Sequence, residues 1–343
     1  MTPSKLLFRS GPDQPATRRG ILSTVASLYD PLGFVAPFLL IGKGVLQEMC
    51  RHGTGWDDPL TDELRPWWER WKNDLTNMEK IDIPRSYAPA NFGRVTRQEL
   101  HHFSDASTTG YGQCSYLRLR NEEGDVHCAL VTAKSRVAPT KVTTIPRLEL
   151  TAAVVSVKTS NVLKEELGYA DAEEYFWTDS KVVLGYINNE ARQFHTFVAN
   201  RIQKIHLSTT PQQWRYVPTH QNPADHASRG LTIGELISSD WFTGPVFLWE
   251  KEIGLSEEVI PELPLGDPEV KGAQTLSTET TEQDSLADRL SGLSSWSRAV
   301  RAVARILRRI GNDKSNGLST VMMKEDDLPR NEWKLGYTVG LNL

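Results

Sequence analysis

The chain has 343 residues, 39% of them apolar and 24% charged, which allows a sizeable core and about two to three domains. No stretch approaches the ~20 uninterrupted apolar residues of a membrane span, and the first residues, MTPSKLLFRSGPDQPATRRG, lack an apolar signal core, so an intracellular protein is expected. Cys50, Cys114 and Cys128 are too few and too scattered for a disulfide framework and form no C-x-x-C pair, so zinc is not expected; the net charge of -4 argues against a surface that coats nucleic acid throughout.

In chain order, Ile21, Leu22, Val25 and Leu28 recur at helical spacing, and this helix should stop before Tyr29-Asp30-Pro31, because the residue before a proline avoids the helical region. A second helix is expected over FLLIGKGVLQEMC after Pro37, and Leu64, Trp67, Trp68, Trp71, Leu75 and Met78 trace one face of a third. The tryptophan stripe reads as core packing, with a base-stacking platform as the alternative. Residues 1–95 are therefore expected to be a helical segment.

From about residue 96 the pattern turns to β-rich runs, ELHHFSDAS, GYGQCSYLRLR and VHCALVTAKSRV, with NEEGD as a hairpin loop. Pro146 opens a helix with Leu148, Ala152, Val155 and Leu163 on one stripe. EYFWTDS follows as a fourth strand, SKVVLGYINN and FVANRIQKIHL as helices, QWRYVP as a fifth strand, and NPADHASRG as the start of a last helix. Residues 96–232 thus read as an α/β domain, a five-stranded mixed sheet flanked by helices.

Residues 233–284 are expected to form an acidic linker, since the stretch 251–284 holds nine acidic and two basic residues with few aromatics. Within 285–343, LADRLSGLSSWSRAVRAVARILRRIG is an amphipathic basic helix, read as a solvated face or as a nucleic-acid or partner contact, in a partly disordered C-terminal tail.

Four carboxylates fall at element ends that this topology brings together: Asp105 in the first strand, Glu149 at the start of the helix after Pro146, Asp179 after the fourth strand and Asp225 at the start of the last helix. Singly, Asp179 and Asp225 could be helix caps and Glu149 a response to a helix dipole. Jointly, unpaired acids at a packed sheet end call for a counter-cation. An all-oxygen donor set without a histidine cage suits Mg²⁺, and two such ions can neutralise a phosphodiester, activate water and stabilise the leaving oxygen.

FSDAS, IPRLELTA, FWTDS and VPTHQNPADHASRG resemble, in order and spacing, the four signature blocks of the ribonuclease H domain in Bel–Pao LTR retrotransposon polyproteins. RRGILSTVASLYDPLGFVAP and GWDDPLTDELRPWWERW resemble the thumb and connection region before that nuclease in the same polyproteins, so the resemblance spans roughly residues 18–250. It implies a Mg²⁺-dependent endonuclease, with Mn²⁺ as a substitute, that cleaves the RNA strand of RNA·DNA hybrids through Asp105, Glu149, Asp179 and Asp225 as metal ligands. It also implies a reverse transcriptase polymerase domain as a partner.

His220, five residues before Asp225, lies where retroviral-type nucleases place a mobile histidine, and is the candidate for proton transfer; an exposed loop histidine is the alternative. His226 stands where an apolar residue is expected, able to compete for metal or tilt the helix, and strand alternation puts one of His101 and His102 inward. Apart from the four acids, residues 96–230 hold 15 basic and 10 acidic residues, which suits a surface that reads phosphates and hybrid shape rather than base sequence.

No Y-x-D-D pair and no D-T-G or D-S-G triplet is present, so DNA synthesis and aspartic protease activity are not expected. SWSRAVRAVARILRRI and VMMKEDDLPRNEWKLGYTVG resemble a connector to integrase and a short integrase C-terminal motif, which implies an internal deletion or a gene model spliced across one. The alternative to an active nuclease is a non-catalytic retroelement remnant or a domesticated nucleic-acid-binding protein with the same fold.

Overall fold

The protein is described here by a computed structural model covering residues 14–168, 172–189, 193–254, 263–264, 266–271, 300–301, 304, 318–322 and 335–339. The chain divides into two units, Met1–Gly272 and Ala273–Leu343. In the first unit, helix α1 (Arg18–Ser27) begins where the Thr17 hydroxyl accepts the Gly20 N–H at 3.2 Å, and ends before Tyr29-Asp30-Pro31. The Asp30 carboxylate then accepts the N–H groups of Phe34 and Val35, both at 2.9 Å, satisfying donors that α2 (Ala36–Arg51) could not pair internally.

Helix α3 (Arg65–Asp74) runs into a 3-10 turn over Leu75–Lys80. Its Trp68 and Trp71 are buried; Trp71 stacks on Phe38 at 4.8 Å and its indole N–H donates to the Phe38 carbonyl at 2.9 Å. Trp68 and Trp71 of the stripe are therefore core, while Trp67 is half-buried and borders a cleft with Arg70 and Asn77.

Strands β1 (Val95–Ala106), β2 (Gly110–Asn121) and β3 (Val126–Val137) form an antiparallel meander. The NEEGD loop closes as expected: the Asn121 side-chain carbonyl accepts the Glu123 and Asp125 N–H groups at 3.0 and 2.7 Å, and Gly124 takes a positive φ of 84°. Helix α4 (Ile145–Leu167) crosses over to β4 (Glu173–Thr178), which lies parallel to β1; α5 (Lys181–Asn188) and α6 (Thr196–His206) lead to β5 (Trp214–Tyr216), parallel to β4. The sheet order β3-β2-β1-β4-β5, with helices on both faces, is ribonuclease H-like.

Alternation along β1 sorts the two cores. Phe103 and its neighbours Cys114, Tyr116 and Trp177 pack with the N-terminal helices in one cluster, while Leu100, Leu117 and Val131 on the other face pack with Leu163 of α4. The helical segment before residue 95 and the sheet thus share a single core. Both faces being covered also explains His101 and His102: each is fully buried, one per face, rather than one inward and one outward. His101 accepts from the Trp177 indole at 3.1 Å and meets Glu99 at 3.3 Å, while His102 pairs with Ser115 at 2.8 Å.

Helices α7 (Ala224–Arg229) and α8 (Ile233–Ser238) return over the first face. The expected linker over 233–284 is corrected for much of its length. Leu236, Trp241 and Leu248 are fully buried in the shared core, because this stretch supplies large apolar residues before its acidic composition begins. Buried Arg118 anchors it further, donating to the carbonyls of Leu248 at 2.8 Å and Glu250 at 2.6 Å while paired with Glu99 at 2.6 Å. Farther on, Glu269 takes a two-pronged ion pair from Arg147 at 2.5 and 3.0 Å, and its carbonyl accepts the His195 N–H at 2.8 Å. Residues 255–262 and 272–284 lie outside the described residues.

In the second unit, β6 (Leu318–Met322) and β7 (Leu335–Val339) pair antiparallel; β7 lies within the stretch likened to an integrase motif and β6 overlaps its first two residues. Of the expected basic helix, Val300, Arg301 and Ala304 are helical; its remaining residues, and with them the expected disorder of the tail, fall outside the described residues.

Candidate active site

Strand β1 is the first contributor. Its alternation carries Glu99, His101, Phe103 and Asp105 on one face, and Asp105 is the last but one residue of the strand, 5% exposed. Opposite it in β2 stands Gly112, where a Cβ would come within 2.7 Å of the Ala227 Cβ and of the Lys134 carbonyl oxygen. The missing side chain lets α7 lie directly on the sheet. The Ser228 hydroxyl can then donate to Asp105, and the Ser107 hydroxyl to the Ser228 carbonyl at 2.8 Å.

The other acids arrive from three further elements. Asp179 follows β4, and its Oδ1 accepts from the Asn222 side-chain amide at 3.3 Å; the same nitrogen donates to the Ser104 carbonyl of β1 at 3.2 Å. Glu149, in the second turn of α4, accepts from the Ser180 hydroxyl at 2.6 Å, and that serine also caps α5. Asp225 sits in α7 one turn before Arg229, whose Nε donates to its Oδ1 at 2.5 Å. Shared partners therefore tie all four acids to one end of the sheet: Ser228 and Arg229 come from the helix of Asp225, Ser180 adjoins Asp179, and Asn222 joins Asp179 to β1.

Their charges interact accordingly. Burial pushes the Asp105 carboxyl up to about 6, with Asp179 and Asp225 adding to the rise and Ser228 opposing it. Burial likewise pushes Glu149 up to about 7, aided by Asp179 and Asp105 and opposed by Ser180. The perturbation is the mark of a cluster short of positive charge.

The donor set, carboxylate oxygens with no sulfur or imidazole among them, fits a hard divalent ion such as Mg²⁺. Among the described residues, no three His, Cys, Asp or Glu side chains stand together as a ready-made ion cage. Each acid is instead turned to a hydroxyl, an amide or a guanidinium.

The histidines take separate places. His220 is exposed in a 3-10 turn, Thr219–Gln221, between β5 and α7. His226 faces away from the cluster, its Nε2 3.2 Å from Asp240 and its ring edge-on to Trp241. Four side chains that lie within the quoted blocks FWTDS and VPTHQNPADHASRG but carried no expected role, Ser180, Asn222, Ser228 and Arg229, hold the acids. A hydroxyl, an amide and an arginine at loop and helix ends are too common for spacing to mark them.

Residues 17–180 match the family described as the Pao retrotransposon-like RNaseH-like domain. The matched span begins at α1 and contains Asp105, Glu149 and Asp179. No curated protein matches the chain. Among solved structures, the chain is similar to the N-terminal RNase H domain of a Mycobacterium tuberculosis protein, at 11% identity and a TM-score of 0.26, over 38% of this chain and 90% of that one. A compost-derived RNase H1, LC11, solved in complex with an RNA/DNA hybrid, aligns at 12% identity and 0.25 over 38% of this chain and 93% of that one. The protease-reverse transcriptase of prototype foamy virus aligns at 16% identity and 0.26 over 68% of this chain and 28% of that one. The chain carries a ribonuclease H-like domain.

Proposed function

We propose that the domain is a divalent-cation-dependent ribonuclease that hydrolyses the RNA strand of RNA·DNA hybrids, with Mg²⁺ as its ion and Mn²⁺ as a substitute. The observation that carries this reading is the gathering of Asp105, Glu149, Asp179 and Asp225, from four separate elements, around one buried and charge-deficient sheet end. The match of residues 17–180 to a ribonuclease H-like family supplies the substrate class.

Within it, Asp105 is the central ligand, held by the sheet. Asp179 and Asp225 are ligands on its two sides, and Glu149 closes the cluster from α4. When bound, divalent ions would offset charge on the scissile phosphate and lower the cost of forming a nucleophile from water. Asn222 orients Asp179, and Ser228 orients Asp105. His220, exposed beside α7, is assigned proton transfer to or from the departing strand.

The test uses the full chain with an end-labelled RNA·DNA hybrid and Mg²⁺, beside Asp179→Asn. Mg²⁺-dependent shortening of the RNA strand by the parent and at least a hundredfold loss in the variant is expected, within the range of one catalytic group's contribution. Equal cleavage by both proteins, or none by the parent, overturns the reading; the second result would leave a non-catalytic nucleic-acid-binding remnant.

A further inference from the structure

The exposed guanidinium of Arg229 stands at the mouth of the acid cluster. Its Nε lies 2.5 Å from Asp225 Oδ1, with the arginine side chain 61% exposed and the aspartate 28%. Asp225 holds the guanidinium above its ordinary value through this hydrogen bond and its charge, and Asp105 and Asp179 add to the effect. This one cation thus answers three of the four acids.

Its position is enforced from below. Gly230, which follows directly, takes a φ of +87°, and a Cβ there would come within 2.7 Å of Ile41 and 3.1 Å of the Pro37 carbonyl oxygen in α2. On the other side, Ala227 presses on Gly112. The backbone bearing Arg229 is wedged between α2 and the sheet, so the side chain starts from a fixed point, while its tip reaches solvent and is held by Asp225.

We infer that Arg229 is a resident counter-cation of the site, which competes with divalent ions for Asp225 and, once displaced, takes a phosphate oxygen of the nucleic-acid backbone. This rests on the acid cluster being the ion site. The guanidinium and an ion draw on the same Asp225 oxygens, so binding of one weakens binding of the other. A freed arginine beside a polyanion is suited to a paired contact with phosphate. The site would then open to ions most readily when a phosphate backbone is present to receive the arginine, coupling ion binding to substrate.

The experiment titrates Mn²⁺ alone into the full chain by calorimetry, with parent, Arg229→Gln, Arg229→Lys and Asp105→Asn proteins whose folding is checked by thermal melting in chelator. Arg229→Gln should bind Mn²⁺ roughly three- to tenfold more tightly, the size of effect expected from removing one partly screened charge nearby. Arg229→Lys, which keeps the charge, should stay within about twofold of the parent. In an Asp179→Asn background, which blocks cleavage, Arg229→Gln should bind the hybrid more weakly and lower the salt slope by about one.

A role limited to structure would weaken ion binding or leave it alone, never tighten it. Unchanged or weaker Mn²⁺ binding by Arg229→Gln, with Asp105→Asn clearly impaired, overturns this inference and leaves the nuclease reading standing. Equal binding by the parent and Asp105→Asn overturns the assignment of the ion site itself, and this inference with it.

Discussion

Replacing Asp105 with asparagine should make the ion-free protein more stable at neutral pH while abolishing its function. Asp105 ionises near its ordinary 3.8 in the unfolded chain but only near 6 in the fold, because it is buried beside Asp179 and Asp225. The folded state therefore binds the extra proton between those values. The stability this proton confers is fully present below the unfolded pKa, is lost as pH rises through the folded one, and is flat above it. The rise is worth up to about 3 kcal/mol at 1.36 kcal/mol per unit.

Asparagine carries no charge at any pH and keeps a carbonyl oxygen for the Ser228 hydroxyl, so it escapes the loss. In chelator, parent and Asp105→Asn should melt together below about pH 4, diverge between about pH 4 and 6, and keep a constant gap above that, the variant ahead by between about 4 and 10 °C at pH 8. Thermal melts followed by circular dichroism across this range are the assay, and added Mg²⁺ should then raise the parent's midpoint and leave the variant's unmoved. A variant less stable than the parent at pH 8, or a gap that does not change with pH, would refute the account of Asp105 as a buried acid lacking its cation.

Arg118→Met should destabilise the first unit by about 3 kcal/mol in urea unfolding, since it takes from Glu99 its buried cation, leaving it His101 and the half-exposed Arg97, and releases the carbonyls of Leu248 and Glu250. Gly112→Val should lift α7 off β2 and cut Mg²⁺-dependent cleavage at least tenfold with little change in far-ultraviolet circular dichroism, because its Cβ meets Ala227 and the Lys134 carbonyl. Trp71→Ala should cost about 3 to 5 kcal/mol and shift one cooperative transition, seen alike by tryptophan fluorescence and circular dichroism, because α3 and the sheet share a core.

Much of this fold is legible in the sequence because its signals are local. The three β-rich runs, the NEEGD loop, Pro146 and the Tyr29-Asp30-Pro31 stop each act within a few residues, and each element appears where the pattern places it. What the pattern misses depends on partners far along the chain. Alternation predicts one inward histidine on a sheet with one covered face; covering both faces buries His101 and His102 together. Composition reads the stretch after residue 232 as a linker because its acids are counted without Trp241, whose indole donates to the Phe34 carbonyl at 2.7 Å across the core.

The candidate site divides along the same line. Its candidate acids are legible because four carboxylates at element ends are costly in a packed sheet without a cation, and their positions are plain in the sequence alone. The side chains that hold them are not, because a serine on α7 gains meaning only when Gly112 admits the helix to the sheet. The N-terminal helices matter to the chemistry by the same route. Helix α2 braces Gly230, and Gly112 seats Ala227, so the short α7 is fixed at both its middle and its end although six residues could not hold such a helix by themselves. A ribonuclease H-like sheet deprived of that helical cover would keep Asp105 and Asp179 on its strands but lose the brace that sets Asp225, Ser228 and Arg229 against them.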